Sequence, residues 1–185
     1  MASAAARATI DDLSRWPGKA ELIDGRIVPL MVTGRRPNRV AFRIVRSLDD
    51  YARASGVGEA YTDNMGFAVP KLPSGRESFS PDASYYVGPF PANEMRVIQG
   101  PPRFAAEVRS EHDYGAAAEA EMAAKRAEYF VTGTLVVWDV DAVSDVITCY
   151  RSSDPTNPVV FRRGDTADAE PAVPGWRVSV DDLLA

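Results

Sequence analysis

The sequence holds one cysteine, Cys149, and one histidine, His112, among 185 residues. An internal disulfide framework and a cysteine-cluster zinc centre are thereby excluded, as is any multi-histidine metal site. A metal would have to be held by oxygen. No apolar run of about 18 residues occurs, and the opening Met-Ala-Ser-Ala-Ala-Ala-Arg lacks the apolar stretch of a secretory signal. Neither a membrane span nor export is expected, which makes the cytoplasm the expected location. Lysine is scarce as well: Lys19, Lys71 and Lys125 are the whole complement, and every other basic side chain is arginine. Acidic residues outnumber basic ones 26 to 21, a formal net charge of −5, which argues against a protein that coats nucleic acid by charge alone. One local basic surface remains compatible with that balance.

What is present suffices for one sizeable core, since 45% of the residues are hydrophobic. No internal repeat and no linker divides the chain, so residues 1–185 are expected to form a single domain. Ile10 to Trp16 has helical spacing and ends at Pro17-Gly18. Ala20–Ile23 and Arg26–Val28 flank Asp24-Gly25, the dipeptide that favours a type I′ hairpin turn. Val40, Ile44, Val45, Leu48, Tyr51 and Ala52 recur at helical intervals up to Gly56. Further strands are expected between Gly58 and Val69, within Ser80–Val87 and over Arg103–Arg109. A helix over Tyr114–Val131, capped by Asp113, then precedes a strongly apolar strand at Thr134–Val140. Strand, helix, strand in that order reads as a βαβ unit and hence an α/β core. Asp145–Arg151 and Val159–Arg162 read as added antiparallel strands, and the tail from Pro174 as a last strand and turn packed back on the rest.

Three patterns are chemically informative. Arg39, Arg43, Arg46 and Arg53, with Arg35 just before them, fall on roughly one face of the first long helix. They could face phosphates or simply balance neighbouring acids such as Asp49 and Asp50. Asp82 begins one strand and Glu107 ends the next, so antiparallel pairing would bring two carboxylates together, a set suited to Mg²⁺ or Mn²⁺. On the following helix Glu121, Lys125 and Tyr129 share a face. Lys125 there is either a fixed charge that orients water at a phosphate or half of a surface pair with Glu121. Ser110, His112 and Asp113 are too crowded in sequence to converge as a triad. Cys149 and the three tryptophans read as packing residues.

Taken in order, Glu21-Leu22-Ile23-Asp24-Gly25-Arg26-Ile27, Pro81-Asp82, Glu107-Val108-Arg109-Ser110, Lys125 with Tyr129 and Gly133, Val136-Val137-Trp138-Asp139-Val140-Asp141 and Pro174-Gly175-Trp176 form a set that spans nearly the whole chain. This set resembles the Uma-two family of restriction-type endonucleases in the PD-(D/E)XK nuclease superfamily. The resemblance implies a restriction-endonuclease-like α/β core with a central mixed sheet flanked by helices. It implies Asp82 and Glu107 as metal-binding acids, Glu21 as an additional acid and Lys125 as a relocated catalytic lysine. Mg²⁺ or Mn²⁺ would be the cofactor, DNA the partner, and Arg35, Arg39, Arg43 and Arg46 a nucleic-acid-binding surface. Arg109 stands where the superfamily pattern has lysine; being always protonated, it could clamp a phosphate but not take a proton from water. The family's histidine after a proline-containing turn is missing from Arg36-Pro37-Asn38-Arg39. The expected activity is Mg²⁺-dependent DNA cleavage, with a homodimer if both strands are cut. The alternative is a catalytically silent relative that serves as a nucleic-acid or protein interaction module.

Overall fold

The computed structural model describes residues 7–185. A single helical turn, α1 (Ile10–Leu13), is capped by Thr9 and Asp12, each side chain satisfying the other's backbone N–H. It is shorter than the expected Ile10–Trp16, because the residue before Pro17 is biased away from helical geometry. Strands β1 (Ala20–Ile23) and β2 (Arg26–Pro29) form the expected hairpin. Asp24 and Gly25 both have positive φ, 50° and 68°, as a type I′ turn requires.

Helix α2 (Arg35–Ser55) ends at Gly56 in the left-handed region and buries Val40, Ile44, Leu48 and Ala52 along one stripe. It starts two residues before Pro37, which is tolerated there because first-turn N–H groups have no helical partner. The chain continues through β3 (Glu59–Thr62), β4 (Phe67–Ala68), β5 (Ser78–Phe79), β6 (Ala83–Tyr86), β7 (Ile98–Gln99) and β8 (Phe104–Val108). After α3 (Ala116–Thr132) come β9 (Val136–Asp141), β10 (Val146–Arg151), β11 (Asp154–Arg162), β12 (Thr166–Asp168), β13 (Arg177–Ser179) and α4 (Val180–Leu184).

The central sheet has the order β11-β10-β9-β8-β6-β3. Only the β8–β9 pairing in it is parallel, with α3 as its crossover, so the βαβ unit is present within a mixed sheet. β11 begins earlier than expected and includes Pro155 and Pro158, tolerated because it is an edge strand. The two-residue strands β5 and β7 are too short to leave a period in the sequence.

Alternation along β8 assigns the faces. Phe104, Ala106 and Val108 join the core beneath α2, with Trp138 and Trp176 stacked 5.1 Å apart and Cys149 fully buried. Ala105 faces the other way, into a second cluster with Tyr129 of α3, Phe79 and Val137. Glu107 follows on that α3 face. One local expectation is corrected: α3 starts at Ala116, not Tyr114, and Asp113 does not cap it. Gly115, at φ 95°, precedes the helix, and the Asp113 carboxylate instead accepts from the Ser110 N–H at 2.7 Å and hydroxyl at 2.8 Å, closing the bend.

Candidate active site

Antiparallel pairing of β6 with β8 places Ala83 opposite Ala106, so Asp82 and Glu107 lie at the same end of the two strands. The Asp82 N–H donates to the Ala106 carbonyl at 3.1 Å, and the Val108 N–H donates to Asp82 Oδ2 at 2.8 Å. From α3, Lys125 Nζ approaches Glu107 Oε1 at 2.9 Å. Tyr129, one turn later, donates its hydroxyl to the same oxygen at 2.7 Å. Glu107 Oε2 makes no hydrogen bond among the described residues. Glu121 is exposed and does not pair with Lys125, so the surface-pair alternative is not what the helix builds.

The hairpin completes the cluster. Lys19, just before β1, and Glu21, within it, both reach the cluster. Glu21 is buried and accepts from Lys125 at 3.2 Å, from the Ser80 N–H at 3.2 Å and from Arg76. Arg76 also reaches Glu128 at 2.6 Å. Lys19 Nζ lies 2.7 Å from Asp82 Oδ1. Lys19, Arg76, Ser80 and Glu128 were not predicted as site residues; the rarity of lysine singled out Lys19, and nothing local marked the other three.

The charges are unevenly satisfied. Burial, joined by the nearby Asp82 and Glu21 charges, raises the Glu107 pKa despite Lys125 and the Tyr129 hydrogen bond. For Glu21 burial acts in the same sense, but Lys125 and Arg76 outweigh it and hold the carboxyl below its ordinary value. Lys125 is opposed by burial, yet Glu107 and Glu21 together raise its pKa, so it stays protonated. It is a fixed cation, not a proton acceptor.

A divalent ion has limited choice here. Among the described residues, no three His, Cys, Asp or Glu side chains gather in a metal-holding group. Glu21 is almost fully buried and already holds two cations, Lys125 and Arg76, whereas Asp82 is partly exposed and holds only Lys19. Asp82 and Glu107 remain: two hard carboxylates with one unengaged oxygen on Glu107. That donor set fits Mg²⁺ or Mn²⁺, which take one or two carboxylates and complete their shells with water.

A family model described as "Putative restriction endonuclease" matches residues 10–181. The chain belongs to the Uma2 family. A crystal structure described as a "putative nuclease belonging to DUF820" from Anabaena variabilis has the same fold, with a TM-score of 0.73 and 17% identity. The match covers 95% of this chain and 97% of that one. No curated protein matches this chain.

In this Uma2 protein the two other expected groups have partners of their own. Arg109 donates to Asp139 through Nε and Nη2, both at 2.7 Å, and to Glu119 through Nη1 and Nη2. These bonds commit it to Asp139 and Glu119, in the cluster next to Glu107. Its pKa is raised, first by the hydrogen bonds to Asp139, which fixes it as a cation. The arginine stripe lies on α2, across the sheet from α3. Arg43 donates to the Leu183 carbonyl at 3.2 Å and to Ala185, and Arg53 pairs with Asp49 at 2.8 Å. Arg35, Arg39 and Arg43 line a cleft there with Arg36 and Arg163. Arg46 belongs to the same helix. The stripe thus lies on the opposite sheet face from Lys125, with the start of α2 held to the β9–β10 turn by Arg36 and Asp145 at 2.7 Å.

Proposed function

We propose that this Uma2 protein is a divalent-metal-dependent endonuclease that hydrolyses phosphodiester bonds of DNA, with Mg²⁺ or Mn²⁺ held by Asp82 and Glu107. The observation that carries the reading is Lys125 Nζ, 2.9 Å from Glu107, anchored on Glu21 and kept protonated beside the carboxylate pair. Such a bound ion polarises a phosphate and lowers the pKa of its water. Lys125 contributes a preorganised positive charge where charge develops on the phosphate. Tyr129 orients Glu107 through its hydrogen bond to Oε1, leaving Oε2 unengaged. Glu21 acts as a support: with Arg76 it fixes Lys125 instead of ligating the ion. Arg109 has a structural part, neutralising Asp139 beside Glu107.

The same proposal includes a cytoplasmic setting, a two-fold dimer if both strands of a duplex are cut, and a DNA-contacting role for Arg35, Arg39, Arg43 and Arg46. Their place across the sheet makes that a contact with a separate stretch of the polymer. The silent-relative reading draws on one observation: every acid of the cluster already has a cationic partner. Calorimetric titration of Mn²⁺ at neutral pH separates the two. Saturable binding lost in Asp82→Ala and in Glu107→Ala is expected of the nuclease, and no binding by the unmutated protein is expected of the silent relative.

A further inference from the structure

Asp82 has a constraint that Glu107 lacks. Its Oδ2 is occupied by the Val108 N–H at 2.8 Å, and its Oδ1 by the Lys19 ammonium at 2.7 Å. Val108 ties Oδ2 to the sheet end, so Oδ1, held only by a flexible side chain, is the oxygen whose partner can give way to a cation. An ammonium and a divalent ion repel each other strongly across one oxygen in a partly water-excluded site. Lys19 must then give way. Its side chain is 16% exposed and that of Asp82 21%, so the pair is half-withdrawn but not sealed.

Lys19 is built to move at its head and not at its root. Its carbonyl accepts from the Leu30 N–H at 3.0 Å, tying the backbone to the hairpin. Its four-carbon stem reorients the ammonium freely. Asp82 is its sole ion-pair partner among the described residues. Lys125 has the same stem but is held by two carboxylates and rooted in the middle of a helix.

We propose that Lys19 is a substrate-binding residue, held on Asp82 until a divalent cation displaces it and then free to bind an anionic oxygen of the DNA phosphate at the same carboxylate pair. This rests on the nuclease reading above. Lys125 is then the stationary charge of the site and Lys19 the exchangeable one. The consequence is conditional: Lys19 weakens metal binding by competing for Asp82, and it strengthens DNA binding only when the metal is in place.

The test combines two measurements on the full-length protein and on Lys19→Met, with Lys19→Gln as a second neutral variant and melting temperature as the folding control. Calorimetry reads Mn²⁺ affinity. Fluorescence anisotropy reads binding of a short fluorescein-labelled DNA duplex with and without Ca²⁺. Removing the competitor is expected to tighten Mn²⁺ binding by about threefold or more. The same variants are expected to bind the duplex roughly three- to tenfold more weakly with Ca²⁺, with the salt dependence reduced by about one phosphate contact, and equally well without it. Equal or weaker Mn²⁺ affinity in both folded variants would overturn the proposal while leaving the nuclease reading intact. So would a loss of duplex binding that is the same with and without Ca²⁺. No Mn²⁺ binding by the unmutated protein would remove the nuclease reading itself, and this proposal with it.

Discussion

Two charged clusters lie side by side on the α3 face of β8 and β9, and they are built differently. In the parallel register Glu107 sits opposite Asp139, and each has a cation delivered to it. Asp139 receives Arg109 on both oxygens, and the guanidinium makes two further bonds to Glu119. That cluster is closed. Glu107 receives Lys125 and Tyr129 on one oxygen, keeps the other unengaged, and has two more carboxylates close enough to raise its pKa. The difference separates an ion pair that holds a fold from one that retains unspent capacity for a ligand. Buried charges are normally paired to completion, because an incompletely satisfied carboxylate is costly. Asp139 meets that cost with a complete set of partners, while the partly exposed Glu107 keeps one oxygen open to water or a ligand.

The comparison breaks most visibly if both clusters respond alike to losing their central residue. Glu107→Gln is expected to weaken Mn²⁺ binding about a hundredfold or beyond detection and to abolish cleavage while the protein stays folded, read by calorimetry and circular dichroism. Arg109→Met should do the opposite. It leaves Asp139 charged, largely buried and unpaired, so urea unfolding is expected to show a loss of about 3 kcal/mol, with Mn²⁺ binding retained. Loss of metal binding in a folded Arg109→Met protein would show that the two clusters act as one.

A pH series sharpens the same contrast. Because burial and neighbouring acids raise the Glu107 pKa, its carboxylate recaptures a proton at higher pH than a free glutamate does. A cation needs the ionised form, so Mn²⁺ affinity is expected to fall as the pH is lowered from neutral, beginning above the ordinary glutamate range. Lysine titration lies far from that window, since Lys125 is held protonated. Titrating Mn²⁺ at several pH values checks the direction, and an affinity flat down to the ordinary glutamate range would contradict it. The smallest effect belongs to the exposed Arg53–Asp49 pair on α2: Arg53→Ala should change stability by less than about 0.5 kcal/mol in the same urea assay.

Parts of this architecture were legible before folding because they are local. Asp24-Gly25 specified the hairpin turn through its left-handed dihedral angles, and the stripe from Val40 to Ala52 specified which side of α2 is buried. The order of Asp82, Glu107 and Lys125 carried the family resemblance, and antiparallel pairing did bring the two acids to one end of the sheet. The start of α3 was not legible. A glycine with positive φ at 115 and a loop-closing bond of Asp113 compete with capping, and only the assembled bend decides between them.

Sequence alone therefore determined the oxygen chemistry of any metal site, the α/β core and three of the residues that the candidate site brings together. Tertiary structure decided the partners. That Lys19 meets Asp82 across 63 positions, that Arg76 meets Glu21 across 55, and that Arg109 is spent on Asp139 are outcomes of packing β1, β5, β8 and α3 together. No spacing encodes them, because an ion pair depends on which long side chains a fold brings within reach and how much water it leaves between them. The arginine stripe shows the same limit. Its helical periodicity was evident from the sequence, but the sheet face onto which α2 packs was set by the core beneath it.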